Sequence, residues 1–288
     1  MDRCLSTHKL SCWLLLFLIS IFSGMAYAEE PLVLGVHPYK TSSKLLKAYT
    51  PLANYLAKAI GRPIRVEISR DYKTHIDRIG RDELDIAYMG PASYVKLVAE
   101  FGEKPILARQ VVNESPTFQG KIVVRQDSPI KTLHELKGKR FAFGDPGSTM
   151  SHLVPRFMLW QSGVSAEQLA TYKFLGSHDN VALAVLANDY DAGAVKEAVY
   201  YKYKNRGLRA LATTPALSEH LFVSSSRMPV QVIEALRAAF FALKDDPQGE
   251  SIMSGIKKGI TAYQSATNAD YDNLREILTQ LHANGVVD

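Results

Sequence analysis

Apolar positions along this chain follow two rhythms. Leu32–Val36 is a short unbroken apolar run, the pattern of a strand covered on both faces. Over residues 44–60, Leu45, Tyr49, Leu52, Leu56 and Ile60 recur at helical spacing, and Gly61 with Pro63 marks the stop. Ile64, Val66 and Ile68 alternate as a strand, residues 72–79 read as a helix and residues 85–89 as the next buried strand. This β-α-β-α-β order predicts a mainly parallel sheet covered by helices.

A second run repeats the alternation. Residues 122–124, 141–143, 173–175 and 192–195 read as strands, residues 149–161 and 178–186 as helices. Pro155 falls in the second turn of the first of these helices, where it should bend the helix or delay its regular hydrogen bonding. Residues 229–243 and 271–281 are amphipathic helices. The last one buries Tyr271, Leu274, Leu278 and Leu281, and Gly285 suits a cap.

The halves echo each other. Residues 81–87 and 187–193 each pass from helix through a polar turn and an Asp into a small-residue strand. The expected fold is therefore α/β with two lobes, each a mixed, mainly parallel sheet flanked by helices. Lobe 1 is expected over 29–110 with 212–288, and lobe 2 over 111–211. The polar stretch 109–120 is a candidate crossing and the stretch near 208–215 a candidate return. A ligand would lie between the lobes, where strand ends and helix N-termini meet.

Composition narrows the class. With 47% hydrophobic and 22% charged residues in 288, disordered and collagen-like readings are excluded. The net charge of +5 comes without a Lys/Arg run, so no nucleic-acid stripe is indicated.

Residues 1–28 have the parts of a secretory signal. Arg3 and Lys9 precede an uncharged apolar run, and Ala26-Tyr27-Ala28 is a small-x-small cleavage site. The run is shorter than the roughly 20 residues of a spanning helix. A soluble product, exported to the periplasm, is expected. Cys4 and Cys12 both lie in this segment, so the mature chain would hold no disulfide, thiolate nucleophile or Cys-based metal site.

The sharpest local signal is Phe143-Gly144-Asp145-Pro146-Gly147-Ser148-Thr149-Met150-Ser151-His152. A strand ends, the chain turns tightly, and Ser148 and Thr149 open a helix. Unpaired N–H groups and partial positive charge at a helix start suit an anion, and Ser148, Thr149 and Ser151 add hydroxyls. The plainer alternative is that Ser148 only caps its own helix. Gly176-Ser177-His178-Asp179-Asn180 occupies a similar strand-to-helix junction, where His178 can donate to an oxyanion or the loop can simply cap. After the third strand, Gly90 permits close backbone approach, while Tyr88 and Tyr94 either donate hydroxyls or pack. Tyr39 and Tyr72 sit in comparable loops.

Catalytic signatures are missing. There is no G-x-S-x-G, H-E-x-x-H, Walker loop or G-x-G-x-x-G, and the eight histidines are scattered. His152 and His178 find no third partner for a metal. No enzyme, metal or cofactor is expected.

The segments Tyr49-Thr50-Pro51-Leu52-Ala53-Asn54-Tyr55-Leu56, Asp85-Ile86-Ala87-Tyr88-Met89-Gly90-Pro91, Asp145-Pro146-Gly147-Ser148-Thr149, and Gly176-Ser177-His178-Asp179-Asn180-Val181 with Asp191-Ala192-Gly193-Ala194 resemble, in order, the phosphate/phosphite/phosphonate-binding periplasmic proteins of ABC transporters. The resemblance runs over about residues 30–245. It implies a type II periplasmic-binding fold whose lobes close on a tetrahedral oxyanion, without turnover. The implied partner is an inner-membrane ABC permease or, in some members, a sensor histidine kinase, and a monomer is expected. In the family, the Ser-Thr at the helix start and the His of the second loop contact the anion, roles that fall on Ser148, Thr149 and His178. The chain departs by placing Met150 third after that Ser-Thr and Met89 before Gly90, where the family often has Ser and an aromatic residue. Two side chains that donate no hydrogen bond imply a smaller or less charged relative of phosphonate, or a different oxyanion.

Overall fold

β1 (Leu32–Val36) is apolar throughout because it runs in the middle of a sheet, with β2 (Ile64–Ile68) and β3 (Ile86–Met89) parallel on either side. The computed structural model describes residues 30–287, so the expected signal segment lies outside the described residues. Between β1 and β2, α1 (Ser42–Ile60) buries Leu45, Tyr49, Leu52 and Leu56 against the sheet. It stops at Gly61, whose φ of 68° favours a residue without Cβ. α2 (Tyr72–Gly80) follows β2, with the Asp71 carboxylate accepting the Thr74 N–H at 2.6 Å as its cap.

After β3, Pro91 opens α3 (Pro91–Phe101), a helix that the alternation did not reveal. Pro at the first helical position loses no hydrogen bond. β4 (Ile106–Val112) then extends through the first part of the expected crossing. Its Arg109 is buried and answered by Asp270 at 3.0 Å and the Ser218 hydroxyl at 2.9 Å, so a charged residue sits inside a strand. The chain crosses through β5 (Thr117–Phe118) into β6 (Gly120–Arg125).

In the second lobe, β7 (Arg140–Phe143) leads into the predicted 149–161 helix. That helix starts as one π turn, Thr149–Leu153, before α4 (Val154–Gln161). Pro155 sits in the first turn of α4, directly after the π turn, and this wide turn accommodates its missing N–H in place of the expected bend. β8 (Thr171–Phe174), α5 (His178–Leu186), β9 (Ala192–Lys196), α6 (Glu197–Tyr203) and β10 (Leu208–Thr213) complete this lobe. Its five strands run in the order β10-β6-β9-β7-β8, with β7 parallel to both neighbours.

The return passes through β11 (Leu217–Ser218), which pairs antiparallel with β5 to form a two-stranded ribbon. The expected boundaries after residues 110 and 211 fall inside β4 and β10, a few residues short of this ribbon. β12 (Leu221–Ser224), α7 (Val230–Ala242), α8 (Gly249–Ile256), β13 (Ile260–Gln264) and α9 (Asp272–Ala283) rejoin the first lobe. The six-stranded sheet reads β13-β4-β12-β3-β1-β2. Apolar clusters cover both faces of each sheet. One of them joins Tyr94, Val95 and Leu274 of the first lobe to Met150, Leu153 and Phe157 of the second. Among the described residues no helix is long and apolar enough to cross a membrane.

Candidate functional site

A cavity of about 110 Å³ lies where the two sheets present their strand ends to each other. Tyr39, Tyr72, Tyr88 and Gly90 line it from the first lobe, and Ser148, Thr149 and His178 from the second. The small volume suits a compact guest.

Ser148 caps its own helix and also lines the cavity. Its Oγ accepts the Ser151 N–H at 3.2 Å as an N-cap, yet a hydroxyl that accepts still carries a hydrogen to donate. Thr149 is placed likewise. Its Oγ1 accepts the Ala92 N–H at 3.1 Å from the start of α3, leaving its own hydrogen for the cavity. Ser151 is not among the lining residues. The π turn directs its hydroxyl to the Ala194 carbonyl, inside the lobe. Gly144 stands over it without a side chain, since a Cβ there would lie 2.5 Å from the Ser151 Oγ.

The tautomer of His178 follows from one bond. The Lys196 N–H donates to its Nδ1 at 3.0 Å, so the hydrogen of the neutral ring is on Nε2. Burial, then the charge of Lys196, lowers its pKa to about 3. His178 is thus a neutral donor at physiological pH. The phenols are donors too: burial pushes Tyr39 up to about 12 and raises Tyr72 further, beside Asp145.

Near Gly90 the expectation for Met89 is corrected, and of the two alternatives for Tyr94 packing is the one found. β3 alternates, so Tyr88 faces the cavity while Met89 turns into the core on the opposite side. Tyr94 is fully buried, and its hydroxyl bonds Asn268 at 3.3 Å instead of reaching the cleft. Met150 does line the cavity, beside the Thr214 hydroxyl, which points at its sulfur from 3.4 Å. His152 faces a separate cavity, with its Nδ1 on the Pro146 carbonyl at 2.7 Å. Among the described residues no cluster of three metal-binding side chains occurs.

Sequence reasoning missed His37, Lys40, Lys196, His220 and Lys257, all of which line the cavity. Glu219 is buried between Lys257 at 2.5 Å and the His220 Nδ1 at 2.9 Å. Burial alone would raise its carboxyl, but the His220 hydrogen bond and the Lys257 charge outweigh it and bring it down to about 2. Asp179 is taken by Lys202 at 2.5 Å. Among the described residues Lys40 and Lys196 form no ion pair, and the one carboxylate on the cavity wall, Asp179, is the one held by Lys202. Burial, then repulsion from Lys257 and Lys40, lowers Lys196 to about 8. Hydroxyl and imidazole donors with unmatched positive charge make a site for a small anion.

Comparison with known proteins agrees with this chemistry. The profile of a family described as "ABC transporter, phosphonate, periplasmic substrate-binding protein" matches residues 34–271. The phosphate-import protein PhnD of Mycolicibacterium smegmatis is 27% identical over 272 residues, 86% of this chain and 85% of that protein. The phosphonates-binding periplasmic protein of Escherichia coli is 28% identical over 184 residues, covering 61% of this chain and 54% of its own. In fold, the chain resembles PhnD1 of Prochlorococcus marinus, solved in complex with methylphosphonate. The TM-score is 0.77 at 21% identity, over 87% of this chain and 98% of that one.

Proposed function

The chain belongs to the phosphonate family of periplasmic substrate-binding proteins of ABC transporters, and on that premise we propose that it captures a small tetrahedral phosphorus oxyanion (phosphonate, phosphite or phosphate) and delivers it to a membrane permease unchanged. The observation that carries this reading is the convergence of Ser148, Thr149 and His178, as donors, on one cavity of about 110 Å³. The guest would touch both lobes at once, so its affinity for the closed arrangement would exceed that for an open one, which is what drives closure. The antiparallel β5–β11 ribbon supplies the two adjacent crossings about which such a motion would turn. The N-terminal segment, with its positive start and Ala26-Tyr27-Ala28 site, supports export.

The test is calorimetric titration of the mature chain with phosphate, phosphite and methylphosphonate. We expect submicromolar to micromolar binding of at least one of them, with no product formed. Emission from Trp160 gives a second readout, because this residue packs 5.9 Å from Phe157 against the cluster that joins the lobes. Absence of binding by all three anions would overturn the proposal.

A further inference from the structure

The three imidazoles that line the cavity are not equivalent. His178 is held with its hydrogen on Nε2. His37 is held the other way, because its Nδ1 lies 3.1 Å from the Tyr88 carbonyl oxygen, which only accepts. That same oxygen takes a second bond from His75 Nε2 at 3.0 Å, and His75 is fixed in turn by the Ser69 hydroxyl at 2.9 Å. His220 repeats the arrangement of His37. Its Nδ1 lies 2.9 Å from a carboxylate oxygen of Glu219, also an acceptor. In their neutral forms His37 and His220 therefore carry a bare Nε2 lone pair, and neither Nε2 has a partner among the described residues. Both rings border Gly90, on the cavity wall: a Cβ placed there would meet the His220 Nε2 and the His37 Cε1 at 3.9 Å.

Neutral rings are what the surroundings favour. His37 is 2% exposed and faces His75, His220 and the charge of Lys196. His220 faces Lys196 and Lys257, and the Glu219 charge that would favour its protonation is already answered by Lys257. Burial lowers the pKa of both rings.

A fully ionised oxyanion has only acceptor oxygens, and set against two bare nitrogens it would leave lone pair facing lone pair. An oxyanion that keeps a hydroxyl satisfies one of them by donating. Resting on the proposed function, we propose that His37 and His220 act as specificity-determining acceptors that select an oxyanion bearing its own acidic hydrogen, a P–OH form, and reject an isosteric anion without one. Phosphorus oxyanions retain an ionisable hydroxyl near neutrality, whereas sulfonates and sulfate do not. The methylphosphonate monoanion and methylsulfonate share charge and tetrahedral shape, and apart from the central atom they differ in this single hydrogen.

The experiment compares their dissociation constants on the mature chain at pH 6.5. The expected ratio favours methylphosphonate by at least tenfold, and a smaller ratio overturns the proposal. The His37→Phe variant, whose ring suits the neighbourhood of Tyr39, Tyr72 and Tyr88, should cut that ratio at least fivefold by weakening methylphosphonate alone. An unchanged ratio overturns the role of His37. Should the variant fail to fold, long-range proton–nitrogen NMR of the wild-type imidazoles decides. His37 and His220 are expected as Nδ1–H and His178 as Nε2–H, and any other pattern refutes the assignment. If methylphosphonate, phosphite and phosphate all fail to bind, the proposed function fails too, whereas equal binding of both methyl anions removes only this inference.

Discussion

Thr149 Oγ1 accepts the Ala92 N–H at 3.1 Å, tying the π turn of one lobe to the first turn of α3 in the other. Its oxygen thus holds the lobes together while its hydrogen remains for a guest in the cavity. Replacing Thr149 with Val keeps the volume but removes both functions and leaves the buried Ala92 N–H unpaired. A hydrogen bond to a charged group contributes about 1.5–3 kcal/mol, so Thr149→Val should weaken anion binding by roughly ten- to a hundredfold. Thr149→Ser, which keeps the hydroxyl, should stay close to wild type. Calorimetric titration of the two variants side by side tests this, and equal affinities would place the anion elsewhere.

Gly90 offers a cleaner separation of site from fold. Its φ is −73°, so no left-handed conformation demands glycine, and the nearest atoms to an added Cβ are 3.9 Å away. Those atoms belong to His37 and His220, across the cavity wall. Gly90→Ala should therefore cost no more than the roughly 1 kcal/mol of a poorer N-cap residue, while a methyl group takes space from the guest and lowers affinity at least tenfold. Urea denaturation checks the first part and titration with methylphosphonate the second.

Lys196 brings the cavity a charge that titrates near physiological pH. Held at about 8 by burial and by Lys257 and Lys40, it loses its proton as pH rises from 7 to 9, and the anion then loses a cation. Arginine stays charged throughout this range. The ratio of wild-type to Lys196→Arg affinity should accordingly fall between pH 7 and pH 9, and taking the ratio cancels the ligand's own ionisation. Lys196→Met should bind weakly at both pH values and show a smaller salt dependence.

How much of this was legible in the sequence depends on how each residue reaches the cavity. Ser148, Thr149 and His178 lie at strand-to-helix junctions, and the local pattern alone aims a helix start at the cleft. Lys196 arrives because β9 pairs with β6, opposite Gly120, and His220 because the β11–β12 turn brings it beside Gly90. Both are products of non-local pairing, with no signal in their own neighbourhoods. Met89 was readable and misread, for the period of two along β3 puts Tyr88 and Met89 on opposite faces. Ser151 was lost to the π turn, whose extra residue rotates the hydroxyl inward. The expected crossing, 109–120, contains β5 but starts too early, because Arg109 makes a buried strand look polar, its charge hidden by Asp270 and Ser218.

Several histidines are also buried without a compensating anion, and this sets the acid limit of the fold. Burial lowers His75 and His152 to about 4, and His178 to about 3. In the unfolded chain each titrates near ~6.5. Above that pH both states are neutral and these groups leave stability unchanged. As pH falls below it, the unfolded chain binds protons that the native chain refuses, so stability drops until the native values are reached. Each histidine contributes a slope approaching about 1.4 kcal/mol per pH unit, and together the three reach roughly 4 kcal/mol per unit at steepest. The Glu219 carboxyl, at about 2, adds its loss only at lower pH. The urea midpoint should therefore be nearly level between pH 8 and 7 and fall steeply from pH 6 to 4.5. His75→Gln, whose amide N–H can still reach the Tyr88 carbonyl, should make that fall shallower, at some cost at neutral pH from the lost bond to the Ser69 hydroxyl. A midpoint that stays level to pH 4.5 would mean that these rings are protonated in the native state.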